Sequence, residues 1–320
     1  MTQFKSVRDI NKPEFKENLR DSVITFADWG YLNMGAYYNV EVPTSGSYGG
    51  AAHQLRPVSD PRFTDGQVWE GFRKNWVWES GLPGQSTQPI QISGVYVDGS
   101  FSGIDSGYYI DYPNGRVVFN TAISTSSTVT CEHSFKMVEV VDARDVPWFR
   151  NIQTRSFRVD DSNFQAGSGD WSALGETRLQ LPAVVVEVVD NRDKTGYQIG
   201  DSTHWARTDV LFHILAEDDS YASRLADALD RQEGKTVPLF DGAILNSQNR
   251  YPLDYRGAKT SNPLTYPDLV RSSGNGGALY TEGVANGEAD VVDSTVRNGA
   301  WLNRKTYHQT VRWTTEVIML

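Results

Sequence analysis

The sequence predicts an α+β fold: an N-terminal amphipathic helix and a β-sandwich-like module, followed by an α+β module in which a sheet carries a helix. Three observations lead there. Apolar residues recur at helical spacing near the start and again after residue 218, and period-2 alternation dominates from residue 90 onward. Gly (28) and Pro (13) punctuate the chain into short segments. At 320 residues it is long enough for about two cores.

The first element starts at Pro13, which suits the N1 position of a helix. Phe15, Leu19, Val23 and Phe26 then share a face for about four turns, closed near Gly30 or Gly35. Asp9, Glu14, Glu17, Asp21 and Asp28 balance Lys5, Arg8, Lys12, Lys16 and Arg20, so the polar face is solvated or paired.

Residues 36–89 read as loop-rich, and with the helix they make a segment 1–89, an N-terminal helix and aromatic-rich arm. Yet the arm holds Phe63, Trp69, Phe72, Trp76 and Trp78, and large rings in such number do not belong in water. Trp69, Phe72, Trp76 and Trp78 are therefore candidate packing or interface residues, covering this chain's core or a neighbouring subunit. The competing reading is a carbohydrate-binding module, since Trp and Tyr rings stack on sugars.

Residues 90–145 form a small β module. IQISGVYV opens it, and GYYIDYPNGRVVF is a hairpin, because Asn114-Gly115 between alternating runs suits a tight primed turn. Tyr108, Ile110 and Tyr112 fall on one face. In STVTCEHSFKMVEVV, Val129, Cys131, His133, Phe135 and Met137 likewise share one face. Residues 146–180 lack periodicity and read as an extended connector.

Residues 181–320 make the last module. LPAVVVEVV and RTDVLFHILAE are strands; DDSYASRLADALDRQEGK is a helix with Ser220 or Asp219 as N-cap, Tyr221, Leu225, Ala228 and Leu229 inward, and Gly234 as its stop. TVPLF and Lys305–Leu320 complete the sheet. Between them, residues 242–304 read as a long insertion that projects and touches partners.

Chemistry-bearing patterns are few. Asp160-Asp161 lie on opposite faces of an extended chain, and Asp218-Asp219 suit a helix start. His53, His133, His204, His213 and His308 show no metal-ligand spacing, no GxSxG elbow is present, and Gly274-Asn275-Gly276-Gly277 lacks the Lys-Ser/Thr of a phosphate loop. No enzyme, metal or cofactor is expected. The formal charge of −10 argues against a surface that grips nucleic acid. Cys131 is the only cysteine, which suits reducing cytoplasm. Neither a signal-peptide apolar region nor a membrane span of about 18 apolar residues is found, so no membrane partner is expected.

The stretch from LPAVVVEVV through YxxRLADALD to TVPLFD, with the final TVRWTTEVIML, resembles the tail terminator (tail completion) proteins of tailed bacteriophages. YIDYPNGRVVF also resembles phage virion structural proteins. This resemblance implies a structural neck protein of the virion, assembled in the host cytoplasm. It implies a homo-oligomeric ring, a hexamer, joining the head connector or stopper to the tail tube or sheath, with DNA passing through unbound. Other neck, baseplate or sheath-attachment components are the alternatives within that class, and the adhesin module is the alternative outside it. Residues 181–241 hold twelve acids against six bases. An acidic lumen would keep a phosphate backbone from sticking, which makes Asp218, Asp219, Asp227 and Asp230 candidate lumen or interface acids; outward solvent or a neighbouring subunit are the other destinations for them.

Overall fold

A computed structural model describes residues 15–42, 52–79, 82–83, 85–104, 106–146, 180–196, 204–240, 242–247, 249–261, 285–303 and 306–319. Pro13, Asp160, Asp161, the Gly274–Gly277 run and nearly all of the 146–180 connector lie outside them. The architecture is α+β, built on one seven-stranded sheet, one six-stranded sheet and a two-stranded link.

Helix α1 (Phe15–Asn33) buries Leu19, Val23, Ala27 and Tyr31, a strict i, i+4 stripe. With 19 residues it runs about five turns, longer than its apolar spacing suggested, and Gly30 lies inside it. Strand β1 (Tyr37–Val40) follows at once.

The seven-stranded sheet contains β2 (Gln54–Val58), β3 (Val68–Glu70), β4 (Gly94–Val97), β5 (Ser100–Gly103), β6 (Tyr108–Asp111), β7 (Arg116–Phe119) and β8 (Val129–Cys131). All its pairings are antiparallel, in the order β5-β4-β8-β2-β3-β7-β6. Strand β2 turns the sheet: Gln54 and Leu55 pair with β8, whereas Arg56–Val58 pair with β3. Both halves fold over one core that includes Trp69, Ile110, Val117, Val95 and Cys131. The sandwich-like character thus comes from one curled sheet. Residues 54–58 and 68–70 supply its central strands, so the aromatic-rich stretch is part of this module and not an arm beside it.

The hairpin at 108–119 forms, with Tyr108, Ile110 and Tyr112 buried. Its turn differs from the tight primed type. Asp111 pairs with Arg116 across residues 112–115, and only Gly115 has positive φ (+63°). Asp111 accepts hydrogen bonds from the Asn114 backbone and side chain, which fixes a wider turn.

The run from Val129 to Val141 is not one strand but three. Strand β8 stays in the large sheet, β9 (His133–Lys136) pairs with β1, and β10 (Glu139–Asp142) crosses to the six-stranded sheet. Its inward residues Val129, Cys131, His133 and Phe135 are all buried.

The six-stranded sheet has the order β10-β11-β12-β15-β14-β13, with β11 (Ala183–Gly196), β12 (His204–Ala216), β13 (Thr236–Phe240), β14 (Ala285–Asn303) and β15 (Thr306–Met319). Only β10 and β11 are parallel. Ala183–Val186 are buried on both faces, which explains their continuous apolar run. Helices α1 and α2 (Asp219–Asp230) cover the same face and share one core with Val186, Phe212, Ile214 and Trp313. Trp313 sits at its centre, 4.4 Å from the Phe212 ring, and its Nε1–H donates to Leu229 O at 3.0 Å.

Two readings of this module change. The N-cap of α2 is Asp218, neither Ser220 nor Asp219, and Ala222, Leu225, Ala226 and Leu229 face the sheet, while Tyr221 is exposed. The insertion at 242–304 is not all loop: it contains a short helix, α3 (Gly242–Ser247), and the 19-residue strand β14.

Candidate functional site

The candidate acids lie on α2 around its solvent side. Asp218, Asp219 and Asp227 are exposed and Asp230 is half-buried. Asp218 Oδ1 accepts from Tyr221 N at 2.8 Å, capping the helix where its first amides lack partners. Asp219 accepts from the Tyr307 hydroxyl; desolvation, then this bond, pushes that phenol up. Asp230 Oδ1 accepts from Ser294 Oγ at 2.8 Å, tying the helix to β14. Asp227 shares the exposed stripe with Arg224 and Arg231, one turn to either side. The acids are therefore brought onto one helix, but basic residues interrupt them and three of the four hold local structure.

The candidate aromatics converge on the core of the curled sheet. Trp69 and Trp76 are each 1% exposed. Their indole N–H groups donate to Gly66 O (2.9 Å) and Arg73 O (3.0 Å). Trp76 stacks on His133 with ring centroids 4.2 Å apart, and burial pushes that imidazole down to about 4, so it stays neutral. Phe72 and Trp78 are half-buried against the same core. Trp69 and Trp76 are thus withdrawn from solvent, whereas Phe72 and Trp78 keep part of their surface accessible.

Trp76 and Trp78 also line a cavity of about 470 Å³ at the seam between the two sheets, bordered by α1 and Tyr251. A buried ion cluster crosses this seam. Lys136 Nζ on β9 contacts Asp28 of α1 and lies 3.0 Å from Glu79 Oε1. Burial alone would lower the Lys136 ammonium, but the two carboxylates raise it overall and hold it charged. One cation serving two acids leaves Glu79, which burial pushes above its ordinary value. Nearby, Arg20 Nε of α1 lies 2.7 Å from Asp142 Oδ2 at the end of β10.

The face of the six-stranded sheet opposite the helices is polar away from an apolar patch where Val185 and Leu215 pack under Ala143 and Val146. Arg207 pairs with Glu316, Asp209 accepts from Thr314, and Arg312 pairs with Asp293 across neighbouring strands. His213 and His308 stack there, with Nδ1 and Nε2 3.3 Å apart and Glu187 3.3 Å from His213 Nε2. Burial, then His213, pushes His308 down to about 4. Sequence spacing offered no sign of this pair, because strand pairing brings together residues 95 positions apart.

The feature that sequence reasoning missed most completely is at the sheet edges. Strand β10 covers β11 only along Ala183–Val186, and β13 covers β14 only along Ala285–Asp290. Among the described residues no strand pairs with the outer edge of β11 beyond Val186 or of β14 beyond Val291. Val292 and Val296 on that β14 edge are 39% and 36% exposed. Among the described residues no helix is long and apolar enough to cross a membrane, and no cluster of His, Cys, Asp or Glu is placed to hold a metal ion. No family profile, curated protein or solved structure matches the chain.

Proposed function

We propose that this chain is a structural protein of the neck of a tailed phage. In this reading it is a tail-terminator-like subunit that closes with identical copies into a ring, a hexamer by resemblance, between head connector and tail tube. It works by assembly, not by catalysis. One observation carries the reading: among the described residues, the two long hairpins outrun the elements that cover them. The helices on this sheet reach about 28 Å (the 19 residues of α1) and about 18 Å (the 12 residues of α2), whereas the 19 residues of β14 extend about 60 Å.

The edges that no described strand covers are complementary. Strands β11 and β14 run in opposite directions, so β14 of one copy beside β11 of the next continues the antiparallel order. The free stretch of β11 lies at the end of the sheet marked by His204 and Met319; that of β14 lies at the end marked by Ala216 and Tyr307. Neighbours joined this way are offset along the strands, and an offset sheet closes with tilted strands. A heterologous contact of this kind leaves no free edge once the ring shuts.

Sedimentation over a wide concentration range tests the reading. The chain is expected to form a closed oligomer of defined size, and Val296→Lys, which places a charge on the free edge, is expected to return it to monomer without changing its circular dichroism. A wild-type chain that stays monomeric throughout, or a Val296→Lys variant that assembles normally, contradicts it.

A further inference from the structure

A second cavity, about 670 Å³, opens on the outer face of β3, β7 and β6, under the loop Tyr251–Gly257. We propose that it binds a neutral sugar residue of a polysaccharide. The floor is apolar: Val68 and Val118 are buried there, with Phe63 and Tyr109 half-buried beside them. On the rim, Tyr255 is 96% exposed and offers an amphipathic ring for contact beside the apolar floor. Arg256 lies over both rings, 5.0 Å from the Tyr109 centroid and 5.7 Å from that of Tyr255, and so orients them.

The charges of the groove select the ligand class. Arg256 is held in a fork by Asp254 Oδ2, at 3.0 Å from Nε and 2.8 Å from Nη2. Arg62 is held likewise by Asp60. Guanidinium groups already bridged to carboxylates offer little to a phosphate or a nucleic acid. The Arg256–Asp254 pair lines the groove with donors and an acceptor side by side, and Arg62 adds donors at its edge, which is what vicinal hydroxyls require, while aromatic faces take the C–H face of a sugar ring.

The site is also preformed. Asp254 accepts from Arg256 N and Ala258 N, and Tyr112 N of the hairpin donates to Gly257 O at 3.0 Å. Gly257 has φ +76°, and a Cβ there would lie 2.4 Å from Asp111 Oδ1, so glycine lets the loop seat against the hairpin. A rigid wall lowers the ordering cost of binding. The volume falls within the usual range for small-ligand sites, about 300–1,000 Å³.

This inference is independent of ring assembly. It is tested by screening the full chain against immobilised neutral and anionic oligosaccharides of bacterial surface polysaccharides, then titrating the best binder by calorimetry. Retention of a neutral glycan is expected, with affinity falling at least about tenfold in Tyr255→Ala and in Arg256→Lys, which keeps the charge and loses the fork. Tyr255 is so exposed that its removal leaves the fold intact, which circular dichroism checks. No retained neutral glycan, binding unchanged by Tyr255→Ala, or a preference for anionic glycans that high salt abolishes would each overturn it.

Discussion

Replacing Lys136 with Met removes the cation at the seam between the two sheets while keeping the length of the side chain. Lys136 is 11% exposed at its side chain and Glu79 4%, so the partner left behind cannot reach water. At an effective dielectric of about 20, charges at the 3.0 Å Lys136–Glu79 separation attract by about 5–6 kcal/mol gross. Desolvation offsets much of this in the intact pair. Removing one partner leaves the other buried and uncompensated, at a cost of about 3–5 kcal/mol. The pH dependence follows from the two groups separately. The folded-state value of Lys136 is raised, so its contribution is fully present below the ordinary 10.5 and is lost as pH rises through the folded value. Glu79 is raised from an ordinary 4.5, so the folded state holds its proton more tightly, and stability from this group falls as pH rises through that window. Without Lys136 the Glu79 carboxyl rises further. Urea denaturation is therefore expected to show the full deficit at neutral pH and a smaller one as pH falls toward 4.5. A variant as stable as the parent at neutral pH, or a deficit that grows on acidification, would refute the reasoning.

Other consequences can be measured with the same purified chain. Trp76→Ala empties a site that is 1% exposed and should cost about 3–5 kcal/mol; a change within error in the denaturation midpoint contradicts its core role. Asp218→Ala should lower stability by about 1 kcal/mol while Asp218→Asn retains most of it, as read by thermal melting; equal losses would remove the capping assignment. Replacing Asp218, Asp219, Asp227 and Asp230 together with Lys is expected to slow DNA ejection from assembled particles. Normal ejection from normally assembled particles would take the lumen away from α2 while leaving the ring intact.

How much of this was legible in the sequence depended on whether neighbours in space were neighbours in the chain. Helix α1 and α2 were readable because their buried faces, Leu19-Val23-Ala27 and Ala222-Leu225-Ala226-Leu229, obey helical spacing. The α2 cap was misplaced by one or two residues because any of three consecutive polar side chains could cap it, and only backbone geometry selects Asp218. Strand β14 was hidden because its register shifts at Val291/Asp293, Arg297/Ala300 and Trp301/Asn303 break the period-2 signal. The opposite error arose from Val129 to Val141, where one unbroken alternation conceals departures into three sheets. Burial of Trp69 and Trp76 followed from their chemistry alone. The seam cluster, the histidine pair and the groove under residues 251–257 could not be anticipated, since each joins side chains from strands and loops far apart in sequence.

Electron cryomicroscopy of phage particles that contain this chain tests the central claim most directly. The account predicts a ring of identical copies at the junction of head and tail, with β14 of each copy beside β11 of the next around the DNA channel. Location of the chain on a tail fibre or baseplate, or a ring whose neighbours meet through other surfaces, would contradict it.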